Sequence, residues 1–292
     1  MSVQNEIAKR KKKESMTLIT LRRLKKNRTA MAGLVIMCLM LLLSVLAPYI
    51  APYDETEADL FNTFAKPSWE HPFGTDELGR DILSRLMIGS KDSLRIGLIS
   101  VAFSAVIGIA LGAICGYFGG KIDSFVMRLM DIFQALPPLI MAIAVCAVLG
   151  AGLNNCIISI TISGIPGYVR MARASVLNIR KMEYLEAATA INCTVPQIIM
   201  KHILPNALAP LIVQITMGVA TNILSASNLS FIGLGVQPPN PEWGAMLSAG
   251  RNYIRNYPHM VMFPGITIML CVLSLNMLGD GLRDALDPKL KD

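Results

Sequence analysis

Charge is scarce in this sequence: only 16% of its 292 residues are Asp, Glu, Lys or Arg, against about 25% in an average soluble domain. So few charges cannot cover the surface of a soluble protein of this size. Disorder is excluded as well, because 53% of the residues are apolar and mean hydropathy is +0.51, whereas disordered chains are poor in apolar side chains. Cysteine is sparse, and six in the whole chain exclude a secreted disulfide scaffold. Cys38, Cys115, Cys146, Cys156 and Cys271 fall in or beside apolar runs, Cys193 falls in a polar loop, and none has C-x-x-C spacing. The GxxxxGK[ST] phosphate loop and the G-x-S-x-G nucleophile elbow are both absent. His71, His202 and His259 all lie away from the depth of any apolar run, so no base stands ready for intramembrane hydrolysis.

What is present is six apolar runs, each to be measured against the roughly 20 residues that cross a bilayer. Residues 30–50 meet that length without a charge and leave at Pro48 and Pro52, which reads as an uncleaved anchor. In the second run, 96–118, Gly108, Gly112 and Gly116 recur every four residues, a stripe that predicts close helix packing. The third, 129–149, carries Asp131 near its start. The fourth, 153–169, is short and polar, with Asn154, Asn155, Gly164, Pro166 and Gly167. The fifth, 207–232, is interrupted by Asn222, Ser225, Ser227 and Asn228, and the sixth, 260–278, contains Pro264-Gly265, where a bend is expected. The expectation is an all-α integral membrane protein of six transmembrane helices. Its parts are a basic segment 1–29, an anchor 30–50, an acidic extracytoplasmic loop 51–92, a five-helix core 93–280 with a cytoplasmic loop 180–206, and a tail 281–292.

The net charge of +7 suggests nucleic acid until its distribution is considered. Ten of the 27 basic residues precede position 29, as Lys9 to Lys13, Arg22, Arg23, Lys25, Lys26 and Arg28, directly before the first apolar run. With the N-terminus inside, 20 basic residues fall on the cytoplasmic side and 7 outside, which obeys the positive-inside rule. Both termini are then cytoplasmic. The outer loop 51–92 holds four basic residues against nine acidic ones.

Between the fourth and fifth runs the chain reads as helix, turn, helix. Residues 183–191 are mostly helix formers. Asn192 suits the left-handed conformation that ends a helix, Thr194 with Gln197 forms a capping box, and Pro196 sits in the first turn. Pro205 is expected to stop Leu204 from continuing as helix, and Asn206 to cap the fifth span. A rigid cytoplasmic hairpin presenting Glu183, Tyr184, Glu186, Ala187 and Ala188 has the makings of a docking knob for a partner protein.

The segment Glu186-Ala187-Ala188, with its turn and then Ile203-Leu204-Pro205, resembles the EAA loop of ABC importer permeases. Further stretches are similar to one branch: 21–28 with 47–54, His71-Pro-Phe-Gly-Thr-Asp-Glu-Leu-Gly-Arg80 through Arg85, Gly116-Tyr-Phe-Gly-Gly120 with Asp123, Arg128 and Asp131, 230–239, 241–246 and 278–288. Together, over about residues 21–290, they resemble the C-type permease of dipeptide, oligopeptide and nickel ABC importers. Two positions depart from that pattern: Asn192, where the family has Gly, and Ala226, near which it often carries Glu.

The resemblance implies the type I ABC importer permease fold in the inner membrane of a prokaryote, multi-pass. It implies a chain that is not itself catalytic and pairs with a homologous second permease. Two ATPase subunits would bind beneath, carrying ATP and Mg, and an extracytoplasmic solute-binding protein above; this chain would bind no cofactor and no metal. Glu183, Tyr184, Glu186, Ala187, Ala188, Asn192, Leu204 and Pro205 become the ATPase-coupling residues. Peptide is the expected cargo, with nickel or a metal chelate as the alternative. A stand-alone secondary transporter is the rival class, but it would need ion-coupling carboxylates, and the runs hold little beyond Asp131.

Four further groups are singled out by spacing. Asp131 is expected to pair with Arg128 three residues earlier, and Asp280 with Arg283 at the last helix's end, where an unpaired acid opposes the dipole. Asp76, Glu77, Arg80, Asp81 and Arg85 sit at helical spacings, so loop 51–92 is expected to fold as a short helical cap. Its Asp76, Arg80 and Asp81 are either internal salt-bridge partners or contacts for the binding protein. Trp243 is an outer-gate candidate or an interface aromatic.

Overall fold

The computed structural model describes residues 16–286; the basic cluster Lys9 to Lys13 and the chain from 287 onward lie outside the described residues. The helices in order are α1 (Met16–Lys26), α2 (Arg28–Ile50), α3 (Ile82–Phe118), α4 (Gly120–Gln134), α5 (Pro138–Leu149), α6 (Leu153–Ile179), α7 (Glu183–Ala190), the one-turn α8 (Val195–Gln197), α9 (Leu204–Phe231), α10 (Trp243–Gly250) and α11 (His259–Leu286). Among the described residues the only strand-like pairing is an isolated bridge between Thr75 and Asp81.

Four helical stretches are long and apolar enough to cross a membrane: α2, α3, Val195–Phe231 and α11. A fifth crossing would be α4 plus α5, which are bent by 83° at a break. The third apolar run is therefore not one straight helix. Leu136 precedes Pro137 and Pro138, and a residue before proline is pushed out of the helical region, so the chain turns there and restarts with Pro138 in the first turn. The fourth run is longer than expected, since α6 has 27 residues. It is less apolar than the other spans, with Asn154, Asn155, Ser159, Thr161 and Arg170 along it, and Ile160, Val169, Ala172 and Val176 are fully buried against the bundle.

The outer loop also differs from expectation. Residues 51–81 contain no helix, and α3 already begins at Ile82, where the Asp81 carboxylate accepts from the Ser84 N–H at 2.7 Å. The first turns of α3 carry polar Arg85, Ser90 and Ser93, all buried. They can be helical without facing lipid because the loop and α10 cover them. The loop is seated on the start of α11: Phe64 stacks on Tyr257 at 4.4 Å between centroids, Phe73 on Phe263 at 4.0 Å, and His259 meets the Thr75 carbonyl at 3.3 Å.

The helix pair α3 and α6 forms the centre. The glycine stripe faces α6 as its spacing predicts. A Cβ built on Gly108 would lie 2.4 Å from the Tyr168 Cβ, on Gly112 2.4 Å from the Val169 carbonyl, and on Gly116 2.7 Å from the Val176 Cβ. Such backbone approach is how membrane helices gain dispersion contacts where no hydrophobic drive separates protein from lipid. Polar links add to it: Ser104 Oγ donates to the Thr161 carbonyl at 2.8 Å, and Asn222 Nδ2 to Ser100 Oγ at 2.8 Å. On the outside, Leu39, Leu42 and Val45 of α2 and Met269 and Leu273 of α11 are exposed, the faces that acyl chains would cover.

The described end of α11 lies beside the start of α2, with Leu24, Ala30 and Ala285 in one cluster. Arg283 and Leu286 line a cavity with Met171 of α6 and Pro210 of α9. Both described chain ends thus lie at the end of the bundle where α6 leads into the hairpin.

Candidate functional site

The hairpin is assembled by local chemistry. α7 carries Glu183 and Glu186 in its first turn, where negative charge offsets the positive end of the helix dipole. It ends at Asn192, whose φ of 62° is left-handed, and the Cys193 N–H then reaches back to the Ala188 carbonyl at 3.1 Å. That bond is the six-to-one contact of a Schellman end, so Asn does here what Gly does elsewhere. Thr194 and Gln197 form the expected capping box, with the Thr194 N–H donating to Gln197 Oε1 at 2.9 Å. We expect Asn192→Gly to leave the thermal stability of the purified protein nearly unchanged. Asn192→Val should cost about 1–2 kcal/mol, the price of a β-branched residue held left-handed; equal melting of the two variants would refute this account of the turn.

The far arm departs from expectation. Pro205 does not end the helix. A π-helical stretch, Ile198–Ile203, precedes it, and the Leu204 N–H bonds to the Ile199 carbonyl. The wider turn accommodates a proline ring that would clash with an α-helical carbonyl four residues back. Asn206 does not cap; its side-chain amide donates to the His202 carbonyl at 2.6 Å, which the Tyr184 hydroxyl also approaches at 3.5 Å. The two arms are therefore cross-linked at one carbonyl.

Burial divides the hairpin residues in two. Leu185 points inward against Val176, Ile179, Ile198 and Ile203, and Ala188 is buried as well. Ala188 is only 4% exposed and is not presented as expected, because it falls on the inner face of α7 with Leu185. Glu183, Tyr184, Glu186, Ala187, Asn192 and Pro205 are exposed, and Leu204 is half-buried. The result is a small acidic and aliphatic surface on a base packed into the bundle.

At the root of the hairpin, Asp131 does not pair with Arg128. Its partner is Arg170 of α6, with Nη2 to Oδ1 at 2.5 Å, while Arg128 is exposed. Helical spacing reports neighbours on the same helix only, and the packed α6 brings a longer reach from the side. A second pair, absent from the sequence expectations, joins Arg173 Nη2 to Asp123 Oδ2 at 2.6 Å. Arg180 lies over the Tyr117 ring at 6.0 Å and ties the ends of α6 and α3 together. Asp280 and Arg283 are both exposed and make no ion pair with each other among the described residues. An exposed pair gains little over two hydrated charges, so nothing compels it.

At the opposite end the charged loop is internal. Asp76 accepts from the Arg80 Nε at 2.8 Å and lies 3.6 Å from the Arg85 Nε. Asp81 holds His71 at 3.0 Å as well as capping α3. Asp76, Arg80 and Asp81 are at most 7% exposed, so they build the loop from within. By contrast Asp54 stays at the surface, where the Thr56 hydroxyl and N–H hold its carboxyl below the usual carboxylate range. Trp243 is fully buried rather than an interface aromatic, and its Nε1–H donates to the Leu86 carbonyl at 3.1 Å. Beside it Glu242, which sequence reasoning passed over, is a buried carboxylate that accepts from the Gly244 and Ala245 N–H groups and from Ser93 Oγ at 3.1 Å. Its position just before a Trp-Gly-Ala helix start was the available signal, since a side-chain oxygen there caps the helix.

A bundle of long apolar helices, with a capped hairpin at one end and a seated loop at the other, defines a polytopic α-helical membrane protein. Residues 108–292 match the family described as binding-protein-dependent transport system inner membrane component, and the chain belongs to that family. Residues 15–67 also match the N-terminal transmembrane domain of oligopeptide transport permease C. Among relatives, the dipeptide transport system permease protein DppC of Alkalihalophilus pseudofirmus is 46% identical over 270 residues, covering 92% of this chain and 89% of that protein. The di/tripeptide transport system permease protein DppC of Pseudomonas aeruginosa is 46% identical, covering 91% and 90%. The glutathione transport system permease protein GsiD of Escherichia coli is 44% identical, covering 92% and 89%. Among solved structures, the MetNI methionine ABC transporter in an inward-facing conformation superposes with a TM-score of 0.58 at 22% identity, covering 70% of this chain and 98% of that one. The fold is therefore that of type I ABC importer permeases.

Proposed function

We propose that this chain is the membrane-spanning subunit of an ATP-driven importer of peptides, in the inner membrane of a prokaryote. The hairpin 183–205 is the observation that carries the reading. Its base is packed into the bundle and its outer face is small, rigid and acidic, the form needed to take a push from a partner without deforming. The names of the relatives at 44–46% identity, which specify dipeptides, di/tripeptides and glutathione, support peptide as the cargo class.

In this reading six crossings are made by α2, α3, the broken α4–α5, α6, α8–α9 and α11, with both termini in the cytoplasm. The distribution of 20 basic residues inside and 7 outside supports that orientation. The chain is not itself catalytic and binds no cofactor; ATP and Mg belong to two ATPase subunits that seat on the hairpins of this chain and of a homologous permease. An extracytoplasmic binding protein delivers the peptide. An apolar groove of about 940 Å³ along α3 and α8–α9, lined by Val106, Ile109, Phe118, Pro196 and Met200 among others, supports a second permease packing there. Transport follows as a two-state equilibrium of the membrane helices, biased by nucleotide bound on the partner.

The test is reconstitution of this chain with its partner subunits in vesicles. Peptide uptake should require ATP and every subunit, and uptake persisting without the ATPases would overturn the reading. Glu186→Arg reverses the charge at the centre of the exposed face of α7. It should leave membrane insertion intact and lower uptake by about tenfold or more, the scale of a typical coupling free energy between sites. Unchanged uptake and unchanged ATPase binding in that variant would remove the hairpin from the coupling path.

A further inference from the structure

We infer that the ion pairs Asp123–Arg173 and Asp131–Arg170 form a strap through which the hairpin moves α4, and that α4 is the segment of this chain that swings during transport. The inference rests on the importer reading above and adds to it the residues that carry motion inward from the hairpin.

α4 is attached to the bundle in an unusual way. Of its 15 residues only Met130 is buried. Ile122, Phe125, Leu129 and Ile132 are 48%, 72%, 41% and 68% exposed and leave one side of the helix without packing inside this chain. Both ends are built to turn. At the start, Gly119 and Gly120 have consecutive left-handed φ values of 64° and 59°, and a Cβ on Gly120 would meet nothing within 4 Å. At the finish lies the 83° break before α5. A helix between two such breaks, with Met130 as its one buried apolar contact, takes its position largely from whatever else holds it.

What holds it is charge. Arg170 and Arg173 stand one turn apart on α6 and reach Asp131 and Asp123, which are eight positions apart on α4. The Asp123–Arg173 pair is the more shielded, with side chains 15% and 32% exposed against 62% and 47% for Asp131 and Arg170. α6 runs without interruption to Ile179 and continues through Met182, whose carbonyl accepts the Leu185 N–H, into α7. A displacement of the hairpin is a displacement of the end of α6, and the two arginines pass it to α4. Arg170, Arg173, Asp123 and Asp131 are thus positioning residues for transport.

The experiment uses the complete transporter in proteoliposomes, with a labelled dipeptide retained by the cognate binding protein. Uptake and ATP hydrolysis are measured together. Asp123→Arg should assemble and hydrolyse ATP while uptake per ATP falls about tenfold. The exchanged pair, Asp123→Arg with Arg173→Asp, should recover most of it, which ties the loss to the pairing, while a merely structural role would lower assembly and hydrolysis together and leave uptake per ATP unmoved. Uptake per ATP at the wild-type ratio in Asp123→Arg would overturn the inference, as would an assembled exchange variant that recovers nothing. If Asp123→Arg does not assemble, the milder Arg173→Gln is read by the same ratio, and a wild-type ratio there overturns the strap. A wild-type complex without ATP-dependent uptake would overturn the importer reading, and this inference with it. Wild-type uptake alongside unaffected variants overturns this inference alone.

Discussion

Trp243→Ala should destabilise the protein by about 3–5 kcal/mol, as large-to-small changes at fully buried aromatic sites do. The indole is enclosed between α3 and α10, donates to the Leu86 carbonyl at 3.1 Å, and follows the capping carboxylate of Glu242. Removing it opens a cavity between α3 and α10 and leaves the Leu86 carbonyl with one partner fewer. Trp243→Phe keeps most of the volume and loses the donor, so it should cost only about 1–3 kcal/mol. Thermal unfolding of the purified protein in detergent should rank wild type, then Trp243→Phe, then Trp243→Ala. A Trp243→Ala protein that melts with wild type would mean that the residue is not a core residue.

Gly112→Val should be worse for assembly than its size suggests. The added Cβ would stand 2.4 Å from the Val169 carbonyl and 2.7 Å from the Ala172 Cβ. Neither atom can swing aside, because one is helix backbone and the other is fixed to it. α3 and α6 must separate along the whole stripe, which loses close contact at Gly108 and Gly116 as well. Overpacking a well-packed site typically costs about 1–3 kcal/mol, and more when backbones must part. Gly167→Ala supplies the contrast. That glycine is inside α6 but exposed, with nothing within 4 Å of its built Cβ, so alanine there should be neutral or stabilise the helix by up to about 1 kcal/mol. Size-exclusion profiles and melting curves should worsen for Gly112→Val and stay at or above wild type for Gly167→Ala, and a monodisperse, wild-type-like Gly112→Val would refute the packing account.

Much of this architecture was legible from single residues and spacings. The Gly108, Gly112 and Gly116 stripe predicted a close helix contact, and each glycine meets α6. Asn192 was assigned the left-handed turn that it occupies, and Thr194 with Gln197 the capping box that they form. These features share one physical character: each is settled by a residue's own stereochemistry or by neighbours within one helical turn.

The misreadings have a different character. Arg128 was the nearest cation to Asp131 along the helix, yet Arg170 is the partner because α6 is packed alongside. Pro205 was expected to stop a helix that a π-helical turn carries through. Apolarity alone makes 129–149 one span, although Pro137 and Pro138 announce the break. Spacing alone allows Asp76, Arg80 and Asp81 either an internal network or an external contact, and burial of all three assigns them to the network.

Scarcity of charge and long apolar runs were enough to make this a membrane protein, because the cost of placing charge in hydrocarbon acts on composition directly. Local turn chemistry determined the hairpin. Only the tertiary structure decided which charges meet, which aromatic is core and which helix leaves most of its surface exposed between two breaks. Those outcomes depend on the approach of segments distant in sequence, where a salt bridge between α4 and α6 or an indole against α3 is set by packing rather than by spacing.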